Sequence, residues 1–224
     1  MKLGKMIFAT TLVTMLGALS AQFALAKPPL PEPAEKTWQL DIRFKKPTPI
    51  SYTNSQGKQE TCWYFQFSLT NSTDEDIHPF QPEIFLYTDT GELLRANRGV
   101  DTVAAFKRFQ QIAKDKLITK LRVGQKILQG EDNAQEMVVF FKDFDPSSGG
   151  FKIFFGGLSG ETTVLKLPEP IKRKIVDRNG KLIEEEVSEI ILRKTLELRY
   201  KLSTEAASRS FQTTRYLGKK WIMR

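Results

Sequence analysis

The sequence predicts a mainly β protein: an antiparallel β-sandwich, immunoglobulin-like or related, with one helical insertion around residues 102–117. Three observations lead there. Several segments alternate large apolar and polar residues, the period of a strand with one face buried. Clusters of Gly, Asn, Asp, Ser and Pro separate them. Only Val103–Leu117 carries apolar residues at helical spacing. An α+β domain is the alternative.

Taken in order, Trp38, Leu40, Ile42 and Phe44 alternate with Gln39, Asp41, Arg43 and Lys45. Pro47 and Pro49 end this strand or confine it to a sheet edge, because proline donates no ladder hydrogen bond. Thr61–Asn71 is the clearest strand, with Trp63, Phe65, Phe67 and Leu69 on one side as the inner wall of a sandwich. Pro82–Thr88 follows, closed by Asp89-Thr90-Gly91, with Glu92–Arg95 returning. In the helix, Val103, Phe106, Gln110, Ala113 and Leu117 share a face with Phe109 and Ile112, and Asp101 or Thr102 caps it. Gln135–Asp143 and Phe151–Gly156 flank a loop of turn formers, so they read as a hairpin. Thr162–Leu167 is a short strand. Ile171–Val176 and the run from Leu182 flank Asn179-Gly180, a strong hairpin signal. Val187–Leu202 alternates mostly by two, and Trp221–Met223 supplies a last strand or a docking tail.

Residues 1–26 carry the pattern of a secretory signal peptide: Lys2 and Lys5, an uncharged apolar stretch from Met6 to Leu19, then Ala24-Leu25-Ala26. Cleavage is expected after Ala26, with an uncleaved anchor as the alternative. Residue 27 is Lys rather than Cys, which closes the lipoprotein route. Residues 27–35 are a Pro-rich leader, and 36–224 form a single domain. No later segment is apolar and long enough to span a bilayer. The expected location is therefore export, periplasmic or extracellular.

The 224 residues include one Cys and one His, which excludes a disulfide framework, a cysteine zinc cluster and multi-histidine metal sites. No cofactor is implied: there is no P-loop, G-x-G-x-x-G, G-x-S-x-G or H-E-x-x-H. Asp89-Thr90-Gly91 matches the aspartic-protease signature, but that chemistry needs two adjacent aspartates and the chain holds one copy. A β-turn is the simpler reading. Asp74, Asp76 and His78 have ligand-like spacing, as do Asp143 and Asp145, yet no second cluster completes a cage. Gly156-Gly157-Leu158-Ser159-Gly160 reads as a tight bend rather than a phosphate cradle.

Charge is unevenly spread along a chain of net charge +8. Residues 95–126 form a basic island in which only Asp101 and Asp115 are acidic. Arg95, Arg98, Lys107, Arg108 and Lys114 are the candidate anion-binding surface, with a solubilising helix face as the plainer reading.

The segments TDTGELLRA (88–96), LQGEDNAQEMVVFF (128–141), FKIFFGGLSGE (151–161) and KKWIMR (219–224) resemble those of a group of exported bacterial proteins to which no activity is attached. The resemblance implies bacterial export and one compact domain, and transfers no site. The expected function is a non-catalytic binding or structural module of the bacterial envelope. Its expected partner is an anionic envelope component or another protein, not nucleic acid. An envelope hydrolase using paired carboxylates is the alternative. A cleft holding two close carboxylates would favour the hydrolase, and a flat or grooved basic and aromatic surface would favour the binder.

Overall fold

β1 (Asp41–Phe44) and β2 (Thr48–Thr53) lie end to end along one edge of β3 (Gln59–Asn71), in a computed structural model that describes residues 38–113, 117–176, 180–203 and 211–224. The expected signal peptide and Pro-rich leader lie outside these residues. Pro47 interrupts the edge, and Pro49 sits within β2, where an edge strand tolerates a missing donor. The chain then crosses to the other layer with β4 (Glu83–Thr88) and β5 (Leu93–Arg95) before entering α1 (Thr102–Ile112). β6 (Thr119–Lys120) and β7 (Gly130–Lys142) return to the first sheet, ordered β1-β3-β7-β6 with β2 also on β3. β8 (Gly150–Gly156), β9 (Thr162–Val176), β10 (Leu182–Leu202) and β11 (Thr214–Met223) complete the second, ordered β11-β10-β8-β4-β5 with β9 on β10.

The main core fills the space between the sheets. Trp63, Phe65, Phe67 and Leu69 are all buried, as their alternation predicts, and face Ile84, Leu86, Ile153, Phe155, Leu196 and Leu198. Trp63 donates from Nε1 to Asp143 Oδ1 at 2.9 Å, so its one polar atom is satisfied. The opposite face of the first sheet is also dry. Cys62, Val138 and Phe140 pack under Ala105 and Phe109 of α1, with Ile50, Tyr52 and Ile118 around them. The helix therefore lids the first sheet.

Two expectations are corrected. Gln135–Asp143 and Phe151–Gly156 do not form a hairpin: β7 pairs with β3 and β6, whereas β8 pairs with β4 and β10. The loop between them crosses from layer to layer. Each strand is apolar on its inner face, and stacking them across the core buries both. The helix stops at Ile112, with the Ala113 amide donating to Phe109 O. Its inward face is Ala105 and Phe109, while Val103 and Leu117 are exposed. Phe109 sets that rotation by meeting Tyr64 and Phe140 edge-on at 5.0 and 6.3 Å.

β9 and β10 also extend further than the periodicity suggests. The two short strands at Thr162–Leu167 and Ile171–Val176 are one strand with a bulge at Leu167–Pro170. Asn179 of the expected turn lies outside the described residues.

Candidate functional site

The second sheet has a face that, among the described residues, no helix or strand covers. Strand alternation dictates what it presents. Ile84, Leu86, Ile153, Phe155, Leu196 and Leu198 point into the core, so their neighbours point out. Register then places the outward residues in rows. One runs Lys220, Glu197, Phe154, Phe85, Arg95; the next runs Arg199, Lys152, Tyr87, Leu93. Lys201 and Arg215 are paired one row further.

Aromatic rings form the floor of this face and cations its surface. Phe85 and Phe154 are half-buried and Tyr87 is 41% exposed. The Arg224 guanidinium lies over Phe154 and Phe85 at 4.4 and 5.5 Å, and Arg95 lies 5.9 Å from the Phe85 ring. The two Arg224 contacts, with the paired backbone hydrogen bonds between Arg224 and Arg193, hold that residue on the sheet. Two shallow hollows flank the Phe row. One, of about 240 Å³, has Phe85, Phe154, Arg193 and Arg224 in its walls. The other, of about 340 Å³, has Tyr87, Lys152, Arg199 and Leu217.

Glu197 is the buried anion within this field. Its Oε1 lies 3.6 Å from Lys220 Nζ and 3.9 Å from Arg199 Nε, and accepts no hydrogen bond among the described residues. One carboxylate thus draws on two cations. Lys152, Lys201 and Arg215 are exposed and make no ion pair among the described residues.

The fold divides the basic island expected from the sequence. Arg95 joins the aromatic face. Arg98 is exposed in the turn after β5. Lys107 and Arg108 project from α1 on the far side of the sandwich, beside the Asp101 carboxylate in a hollow of about 440 Å³. Lys114 lies outside the described residues. Lys126 is drawn off by Asp76 at 2.6 Å. Phe154, Lys152, Arg199, Lys201 and Lys220 were missed because they come from three separated strands. Their only local signal was outward-pointing aromatics and cations in otherwise apolar strands.

The other candidate motifs resolve structurally. Asp89 Oδ2 accepts from the Gly149 amide and Thr90 bonds Ser148, so Asp89-Thr90-Gly91 is a turn pinned to the β7–β8 loop. Asp76 accepts from the Gln129 amide and pairs with Lys126, and these bonds hold its carboxyl below the usual carboxylate range. Among the described residues no group of three or more His, Cys, Asp or Glu is arranged to hold a metal. Gly157 turns with φ +84°, and a Cβ there would meet Gln81 O at 2.5 Å, so the glycine-rich stretch is a tight bend. The Cys62 thiol is fully buried, and burial pushes its pKa up to about 12. A cavity of about 480 Å³ between β1, β3 and β11 includes Asp41 and Glu131, and Ser72 Oγ donates to Asp41 at 2.7 Å.

No family model matches the chain, and neither do curated proteins or solved structures.

Proposed function

We propose that the protein is a non-catalytic binding module of the bacterial envelope, and that the uncovered face of the second sheet takes an anionic polymer such as an acidic glycan. One observation carries this reading: Phe85, Tyr87 and Phe154 share one uncovered face with Lys152, Lys201 and Arg215, which are exposed and make no ion pair among the described residues. The exposed Tyr87 ring offers a face to the apolar side of a sugar ring, and lysine and arginine meet carboxylate or sulfate groups. A shallow surface of this kind suits an extended ligand, whereas a small molecule needs a deeper enclosure.

Export and envelope residence rest on the signal-like N-terminus and on the resemblance to exported bacterial proteins. The test is elution from an immobilised acidic glycan, heparin serving as the probe. The Lys152→Glu/Arg199→Glu/Lys201→Glu variant should elute at clearly lower salt than the unaltered protein. Lys107→Glu/Arg108→Glu, on the opposite side, should elute close to it. Equal elution of the first variant and the unaltered protein would refute the assignment.

A further inference from the structure

β9 and the first half of β10 leave the sandwich as a two-stranded arm. β11 ends opposite Arg193 and Lys194, and β8 ends opposite Thr195. From Leu182 to Leu192, β10 is therefore paired only with β9. At about 3.3 Å per residue the arm reaches about 40 Å. Two-stranded ribbons are marginal in water unless something packs on them.

The register shows how the arm holds together. On one face three apolar pairs, Ile183–Ile175, Val187–Ile171 and Ile191–Val164, alternate with two ion pairs, Glu185–Arg173 and Glu189–Lys166. Arg173 meets Glu185 at 2.6 Å. Ile191, Val164 and Ile171 of that face are 66, 54 and 48% exposed, and on the other face Val176 and Leu182 are 63 and 61% exposed. So much uncovered aliphatic surface on so narrow an element is the mark of a contact site.

The charges identify what it contacts. β9 carries Lys166, Lys172, Arg173 and Lys174 against Glu169 alone. β10 carries Glu184, Glu185, Glu186 and Glu189 between Leu182 and Leu192, with no basic residue. Pairing within one arm would be satisfied equally well by charges mixed along each strand. Segregation by strand does something more: it sets β9 of any copy against β9 of another as like charge, and β9 against β10 as opposite charge. A surface that is basic on one side, acidic on the other and aliphatic between complements itself.

We propose that the arm is a self-association element through which two copies of this chain dock, β9 of one against β10 of the other. The aliphatic pairs supply the contact and the strand-wise charges set the pairing, by attraction in this arrangement and repulsion in the alternatives.

Sedimentation velocity across a wide concentration range tests it with the full chain. The unaltered protein should associate reversibly. Val164→Thr/Ile191→Thr, which keeps β-branching but loses apolar surface, should weaken association about tenfold or more. A variant with both strands reversed, Lys172→Glu/Arg173→Glu/Lys174→Glu with Glu184→Lys/Glu185→Lys/Glu186→Lys, retains every pair within the arm. It should associate with itself as the unaltered protein does, read by energy transfer between differently labelled copies. A protein monomeric at every concentration overturns the proposal. So does undiminished association of the threonine variant, or loss of self-association in the reversed one.

Discussion

Phe67→Ala removes a ring that is 1% exposed at the centre of the sandwich. The ring meets Phe155 of the opposite sheet edge-on at 4.9 Å and Phe65 of its own strand at 5.4 Å. Neither neighbour can follow the loss, since both are themselves fully buried on strands held in ladders on each side. The substitution therefore costs the transfer of the ring plus the cavity it leaves, about 3–5 kcal/mol for a phenylalanine of this burial. The lost edge-on pair belongs to the upper part of that range, at about 0.5–1.5 kcal/mol. Against a typical stability of about 5–15 kcal/mol this is a third or more of the total. Urea unfolding followed by tryptophan fluorescence gives the value directly, since Trp63 lies in this core and Trp38 and Trp221 pack against it. Phe211→Ala, at 76% exposure, is the control and should change stability by less than about 0.5 kcal/mol. A Phe67→Ala cost below about 1 kcal/mol would mean that β3 does not face β8 in this register.

Three further outcomes are expected. Cys62 should resist a thiol-disulfide reagent at pH 8 in the native protein and react fully in guanidinium, because burial both hides the thiol and raises its pKa to about 12; rapid native labelling would place it elsewhere. Bonds from the Ala104 and Ser55 amides, with a further one from Val103, hold the Asp101 carboxyl below its ordinary value, so its stabilisation is present above the unfolded carboxylate range and lost as pH falls through the depressed value. Asp101→Asn keeps a capping side chain without the titration and should flatten the acid limb of a melting-temperature profile, which an unchanged limb would refute. Gly157→Ala should lower the melting temperature, since the new Cβ would meet Gln81 O and the residue sits at φ +84°; Gly57→Ala shares the positive φ without the clash and should cost less.

Much of this fold was written in local pattern. The period-two run in β3 placed Trp63, Phe65, Phe67 and Leu69 on one wall because a strand leaves no other choice once four large apolar residues alternate. The turn at Asp89-Thr90-Gly91, the bend at Gly157 and a helix cap at Asp101 or Thr102, of which Asp101 takes the role, were legible for the same reason: each is decided within a few residues by backbone geometry or a single side-chain oxygen.

What depends on contacts distant in sequence was not legible. β7 and β8 are apolar strands joined by a turn-rich loop, and that description fits a hairpin as well as a crossing between layers; only the competing partners β3 and β10 separate the two. The rotation of α1 was set by the rings of Tyr64 and Phe140, not by its own spacing. The basic island was continuous along the chain, yet Arg95 and Lys107 belong to opposite sides of the sandwich, because the turn between β5 and α1 carries the chain from one sheet to the other. The aromatic and basic face exists only once β4, β8, β10 and β11 lie side by side. By itself the sequence determined which residues alternate, turn and carry charge, since those follow from short-range geometry and composition. The tertiary structure alone decided which charges share a surface, since that follows from strand pairing between segments far apart in the chain.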